Sequence, residues 1–188
     1  MENIVETNIN SNETNTYSIY PVFWSNEYMG EIEYIYQMYK DQEGRIFSLD
    51  AYQDGSLMDL IQEIIEQDLV FVVVNPTGEV MANFILSDVY RYKDIIIEAH
   101  VHCAVRRKFW GKEARSICKE FRKFLENNFK IKKIIAEVPQ CKYGVIKLIK
   151  DMGMVHEGTI KECMLYNDKK GQPKWYDKLI YTITRKDM

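Results

Sequence analysis

The sequence predicts a single α/β domain built on a mixed central sheet, and three observations carry that reading. Along the chain the hydrophobic period switches between helical spacing and the continuous or alternating runs of strands. Those runs are bounded by turn residues with a conformational reason to be there. The 188 residues suffice for one core that buries about 70% of the unfolded surface. About seven strands and about four helices can be placed in order, with no internal repeat.

Residues 1–16 are rich in Asn, Thr and Glu and poor in large apolar side chains, so they are expected as a polar tail ahead of a domain spanning 17–188. Tyr17 to Trp24 has strand composition, and Pro21 restricts it to an edge or a bulge. Tyr28, Ile32, Ile35, Tyr36 and Tyr39 repeat at helical spacing behind a capping Ser25. In a second helix Ser56 and Asp59 approximate a capping box, and Leu57, Leu60, Ile61, Ile64 and Ile65 form the apolar stripe. Leu69 to Val74 and Val80 to Tyr90 flank the turn Asn75-Pro76-Thr77-Gly78 and read as an antiparallel hairpin.

A third strand, Ile95 to Cys103, follows a polar loop. Its alternation places Glu98, His100 and His102 on one face and Ile97, Ala99, Val101 and Cys103 on the other. The helix Gly111 to Asn128 buries Ala114, Ile117, Cys118, Phe121, Phe124 and Leu125. A strand at Ile131 to Val138 and a short helix at Cys141 to Asp151 come next, the helix stopped by Gly153. Strands at Val155 to Tyr166 and Tyr176 to Arg185 close the chain around the polar loop Asn167 to Trp175.

Composition narrows the functional classes. A net charge of −3 gives no reason to expect a nucleic-acid or membrane surface, where a basic excess is usual. Cys103, Cys118, Cys141 and Cys163 form no CxxC pair, which suits a reducing compartment and neither a metal ribbon nor a disulfide framework. Without a leader pattern or an apolar run of about 20 residues, the chain reads as soluble and cytoplasmic. Thirteen tyrosines and eight phenylalanines can fill a core and also furnish a partner surface.

The basic cluster Arg106, Arg107, Lys108, Lys112 and Arg115 stands at the start of the helix opened by Gly111. Unpaired N–H groups and the helix dipole make such an end favourable for an anion, and a pyrophosphate fits that geometry. Glycine lets the backbone approach closely.

The order strand, two helices, three strands, helix, strand, helix, two strands resembles that of the GNAT acyltransferase superfamily over about Tyr17 to Arg185. Arg106-Arg107-Lys108-Phe109-Trp110-Gly111-Lys112-Glu113-Ala114 resembles the family's pyrophosphate loop. Met152-Gly153-Met154-Val155-His156-Glu157-Gly158 and Asp177 to Arg185 resemble segments of the ribosomal-protein N-acetyltransferases and related phage proteins.

The resemblance implies an acetyl-CoA-dependent N-acetyltransferase, with a primary amine attacking acetyl-CoA directly in a ternary complex. The amine would belong to a small molecule, a protein N-terminus or a lysine. The cofactor-binding residues it implies are Val105, Arg106, Arg107, Lys108, Trp110, Gly111, Lys112, Glu113, Ala114 and Arg115. Glu98 is the first candidate base and His100 the second, since the family often carries a carboxylate base on this strand; solvated or structurally bonded side chains are the alternative. His100-x-His102 lacks a third ligand at metal-site spacing, so no metal is expected.

The sequence departs from the family at four positions. Lys108 replaces the usual Arg or Gln, Glu113 a second Gly or Ala, Ile149 the tyrosine that protonates the leaving thiolate, and Lys142 a nearby Asn. Tyr143 and Cys141, at the start of the same helix, are the candidate substitutes for that acid, with an ordinary packing aromatic as the alternative for Tyr143. These departures support a second reading, a non-catalytic binding or structural module such as a phage virion or assembly protein, with a homo-oligomer or virion partner. Amine selection would fall to Tyr28 to Gln67 and Asn167 to Trp175, where Asp41, Glu43, Asp50 and Asp54 would draw a cation.

Overall fold

The computed structural model describes residues 7–9, 17–41, 56–168 and 170–185. The order is β1 (Thr7–Ile9), β2 (Tyr17–Val22), a 3-10 turn at Asn26–Tyr28, α1 (Met29–Asp41), α2 (Leu57–Gln67), β3 (Leu69–Val74), β4 (Val80–Tyr92) and β5 (Ile95–Val105). A second 3-10 turn at Arg107–Phe109 leads into α3 (Lys112–Asn128), then β6 (Lys130–Pro139), α4 (Tyr143–Asp151), β7 (Val155–Asn167) and β8 (Pro173–Thr184). The strands form one sheet ordered β1-β2-β3-β4-β5-β6-β8-β7. Every neighbouring pair is antiparallel except β5 and β6. Their parallel pairing follows from the connection, because α3 carries the chain back to the starting end of the sheet.

Local chemistry explains the elements. Ser56 accepts from the Asp59 N–H while the Asp59 carboxylate accepts from the Ser56 N–H, both at 3.1 Å, so the capping box forms as read. Ile61 and Ile65 of α2 and Ile32, Ile35, Met38 and Tyr39 of α1 are buried against one face of the sheet with Val70, Val72 and Ile85. On the other face Phe71, Phe84, Phe121 and Phe124 form the core under α3, with the Phe84 and Phe121 rings stacked 3.8 Å apart. Strand β3 lies between both layers, which is why its sequence is apolar without alternation. A smaller cluster of Ala136, Val138, Ile149, Met154 and Tyr181 lies under α4. It shares Val101 and Ile134 with the α3 cluster, so α3 and α4 cover the same face.

Several sequence expectations are corrected. Within the segment read as a tail, Thr7–Ile9 pairs with Ile19 to Tyr17 of β2, adding an eighth strand through the backbone groups that the β2 edge offers. The final hairpin loop is shorter than read, with Pro173 opening β8, a position that needs no N–H for the ladder. The last helix begins at Tyr143, not Cys141. In β5 the residue sharing the α3 face with Ala99 is Ile96, not Ile97, because the β4–β5 register shifts twice between Ser87 and Arg91. Glu43, Asp50 and Asp54 lie outside the described residues, as does the side chain of Asp41.

Candidate functional site

A cleft opens where β5 and β6 part. Their ladder runs from Ile95↔Lys130 to His100↔Ile135 and stops. Both strands continue, but with their other neighbours: β5 stays on β4 as far as Val105↔Ala82, and β6 stays on β8 as far as Pro139↔Lys178. The Arg106 N–H donates to the Met81 carbonyl at 2.9 Å, which sets the antiparallel alternation on the β4 side. By that alternation the peptide groups of Val101 and Cys103 face away from β4 and towards the cleft. His102 and Cys103 are exposed although β5 is an interior strand, and the divergence is the reason. Although Cys103 is exposed, the Cys118 thiol beside it, and then desolvation by the protein packed around it, push its thiol well up.

Strand β5 leads through the short turn at Arg107–Phe109 into α3, so the helix start follows the open end of the cleft in the chain. Gly111, at the cap position, has φ 94° and ψ −124°, a conformation that L side chains rarely adopt, and no side chain caps the helix. The amides of Lys112, Glu113 and Ala114 therefore lack intrahelical acceptors; the Arg115 N–H reaches the Gly111 carbonyl at 3.4 Å. Ala114 is buried beneath them, and the Trp110 indole is half exposed, with Nε1 donating to the Val105 carbonyl at 2.8 Å.

The basic residues of this segment are not equivalent. Arg106 and Lys108 both contact Oε1 of Glu79, and the Arg106 guanidinium lies 5.6 Å from the centre of the Tyr34 ring. Arg115 Nε is 3.5 Å from Asp151 Oδ2 on α4. Arg107 and Lys112 are exposed and Glu113 is half-buried, and none of the three forms an ion pair among the described residues.

On the face away from α3, Glu98, His100 and His102 form a row. Glu98 Oε2 is 3.8 Å from Lys133 Nζ, which is also 3.3 Å from Glu157. Glu98 stands inside the closed part of the ladder, opposite Lys133. His100 Nδ1 is 3.9 Å from Asp88 Oδ2, and His102 Nε2 is 3.0 Å from Ser87 Oγ. The bulge in β4, with Asp88 at φ 48°, brings the consecutive residues Ser87 and Asp88 to the same histidine-bearing face. Although its surface is open to solvent, the protein packed around the ring desolvates His102, and this, then the neighbouring His100, holds its pKa below the ordinary 6.5. His102 belongs to the row read from alternation, but its place beyond the last β5–β6 pair was not legible in sequence, and neither was the Ser87 contact.

Tyr143 is 76% exposed on the first turn of α4. Ile149 is 7% exposed within the cluster under α4, and Lys142 Nζ lies 4.5 Å from the centre of the Tyr166 ring. The Cys141 thiol is pushed up by burial. Among the described residues no group of three or more His, Cys, Asp or Glu is placed to hold a metal ion, and no helix is long and apolar enough to cross a membrane.

No protein-family model and no curated protein matches the sequence. Solved structures do match in fold. The ribosomal-protein-S5-alanine acetyltransferase of Vibrio fischeri superposes with a TM-score of 0.69 at 13% identity, covering 97% of this chain and 98% of that one. The spermidine N-acetyltransferase of Vibrio cholerae, solved with CoA and spermine, gives 0.68 at 16% identity over 88% and 95%. RimJ of Mycobacterium smegmatis, solved with CoA disulfide, gives 0.68 at 14% identity over 92% and 84%. The chain has the fold of the GNAT acetyltransferases.

Proposed function

We propose that this protein is an acetyl-CoA-dependent N-acetyltransferase that transfers the acetyl group directly to a primary amine. The observation that carries the reading is the end of the β5–β6 ladder at His100↔Ile135, which leaves an extended slot running to an uncapped helix N-terminus. A pantetheine arm in that slot would meet the Val101 and Cys103 peptide groups, and one of those N–H groups would hold the thioester carbonyl as charge develops on it. The pyrophosphate would rest on the Lys112, Glu113 and Ala114 amides, with Arg107 and Lys112 supplying charge. Fold neighbours solved with CoA or CoA disulfide support CoA as the kind of ligand this fold takes.

An ordinary alkyl ammonium has a pKa near 10.4, so only about one amine in a few thousand is free at pH 7 and a base is needed. His102 is the better candidate than Glu98 or His100. It stands two residues beyond the last paired residue of β5, whereas Glu98 stands two residues before it and is bound up with Lys133. A His102 with a lowered pKa is neutral at pH 7 and accepts a proton directly or through water. Ser87 fixes its ring. Tyr143, at the start of α4, is the candidate donor to the departing thiolate, a group that leaves readily with a pKa near 8.5.

A second reading is a binding module that keeps the fold without turnover. Ile149 favours it, because the side chain at the position of the family's acid is packed in the core. Calorimetric titration with acetyl-CoA tests both: no binding at millimolar ligand ends the enzymatic reading. If acetyl-CoA binds, release of thiol with a panel of amines separates turnover from binding alone.

A further inference from the structure

We infer that Glu79, which lies outside the cleft, is a positioning residue for the anion-binding end of the site. Its carboxylate clamps the segment 106–111 so that the first amides of α3 face the cofactor phosphates. The inference rests on the acetyl-CoA reading and deepens it.

Glu79 is itself firmly placed. It closes the turn between β3 and β4, where the Asn75 side-chain oxygen accepts from the N–H groups of Thr77 at 3.1 Å and Glu79 at 2.9 Å. The Asn75 N–H donates to the Glu79 carbonyl at 3.0 Å. One oxygen of the Glu79 carboxylate then contacts both Arg106 and Lys108. The hydrogen bond from Lys108, first among several causes, holds this carboxyl below its ordinary range, so it is charged at neutral pH. Arg106 is fixed from two further directions, by its N–H on the Met81 carbonyl at 2.9 Å and by the Tyr34 ring of α1. The segment between Arg106 and Gly111 is therefore anchored to a rigid turn at one end, and at the other enters α3 through a backbone conformation available to glycine.

Two physical effects of Glu79 oppose each other. Coulomb's law makes a carboxylate beside a phosphate site unfavourable, and it occupies two cations that would otherwise reach the ligand. Holding the amides in place acts the other way, because a preorganised anion site binds without first having to order its loop. The clamp predicts that positioning wins.

Glu79→Gln, which keeps the shape and removes the charge, decides between them. The expected result is a CoA Kd weakened about two- to fivefold, the size of a partly exposed ion pair. In turnover, KM for acetyl-CoA rises while kcat and KM for the amine stay unchanged. In the ligand-free variant, amide hydrogen exchange quickens over residues 107–114. Unchanged or tighter CoA binding by the variant overturns the inference, as does unchanged exchange. Failure of the wild-type protein to bind CoA would instead refute the acetyl-CoA reading, and the exchange measurement would still decide whether the clamp exists.

Discussion

His100 and Ile135 are the last residues to face each other across the parallel ladder of β5 and β6, and the proposed chemistry lies just beyond that pair. Filling the gap above them should abolish cofactor binding. Cys103 is exposed in the cleft, so Cys103→Phe places a ring where the pantetheine arm would lie. Calorimetry should show acetyl-CoA affinity reduced at least about tenfold in a variant whose circular dichroism shows the fold retained. Retained affinity would move the binding site elsewhere.

Gly111→Ala should weaken both fold and site. The φ of 94° is the obstacle, since an added Cβ would meet no atom within 4 Å. The strain is about 1–3 kcal/mol, visible in urea denaturation, and relaxing it turns the α3 amides and weakens CoA binding. Equal stability in variant and wild type would contradict the backbone argument.

Substitution of the candidate bases should separate them. His102→Gln is expected to lower kcat/KM by about 10²–10⁴-fold, the usual contribution of a general base. Glu98→Gln, which releases Lys133 within the closed part of the ladder, should lower it far less. A reversed order in steady-state thiol release would return the assignment to Glu98.

The same histidine should leave a mark on stability. Its folded pKa lies below the ordinary 6.5 through desolvation by the surrounding protein and then the neighbouring His100. The unfolded chain thus takes up this proton first as pH falls, and stability is lost from about 6.5 downward until the folded state protonates too. Urea midpoints between pH 8 and pH 5 should fall less steeply for His102→Gln than for the wild type. Parallel profiles would show that the folded environment leaves this histidine alone.

Ile149→Tyr should not restore an acid. Ile149 is packed with Ala136, Val138, Met154 and Tyr181, so a larger ring overfills that cluster. A cost of about 1–3 kcal/mol is expected, with no gain in thiol release. A faster variant of unchanged stability would show that the α4 surface has room for the missing tyrosine.

The sequence by itself determined the element order from β2 onward, the faces of α1, α2 and α3, the Ser56–Asp59 cap, the Asn75 turn and the glycine at the head of α3. All of these depend on residues within a few positions of one another, where period and turn chemistry act directly. It also put Glu98, His100 and His102 on one face, since alternation is a property of a single strand. In α4 it turned Val145 inward, where that side chain is exposed and Ile146 packs instead. Sequence could not place the register shifts between β4 and β5, so it chose Ile97 where Ile96 is buried, and it missed the Thr7–Ile9 strand, because three residues are too short a run to show a period.

What only the tertiary structure decided are relations between distant segments. Arg106 and Lys108 look like free phosphate ligands in the sequence, yet both are held by Glu79, 27 residues from Arg106. Ser87 reaches His102 across 15 residues, through a bulge that no local pattern announces. The cleft itself is a loss of pairing between β5 and β6, each kept by its other neighbour while α3 spans the gap between them in sequence. A strand's own residues specify its period and its faces; where it leaves its partner depends on every strand and helix packed around it.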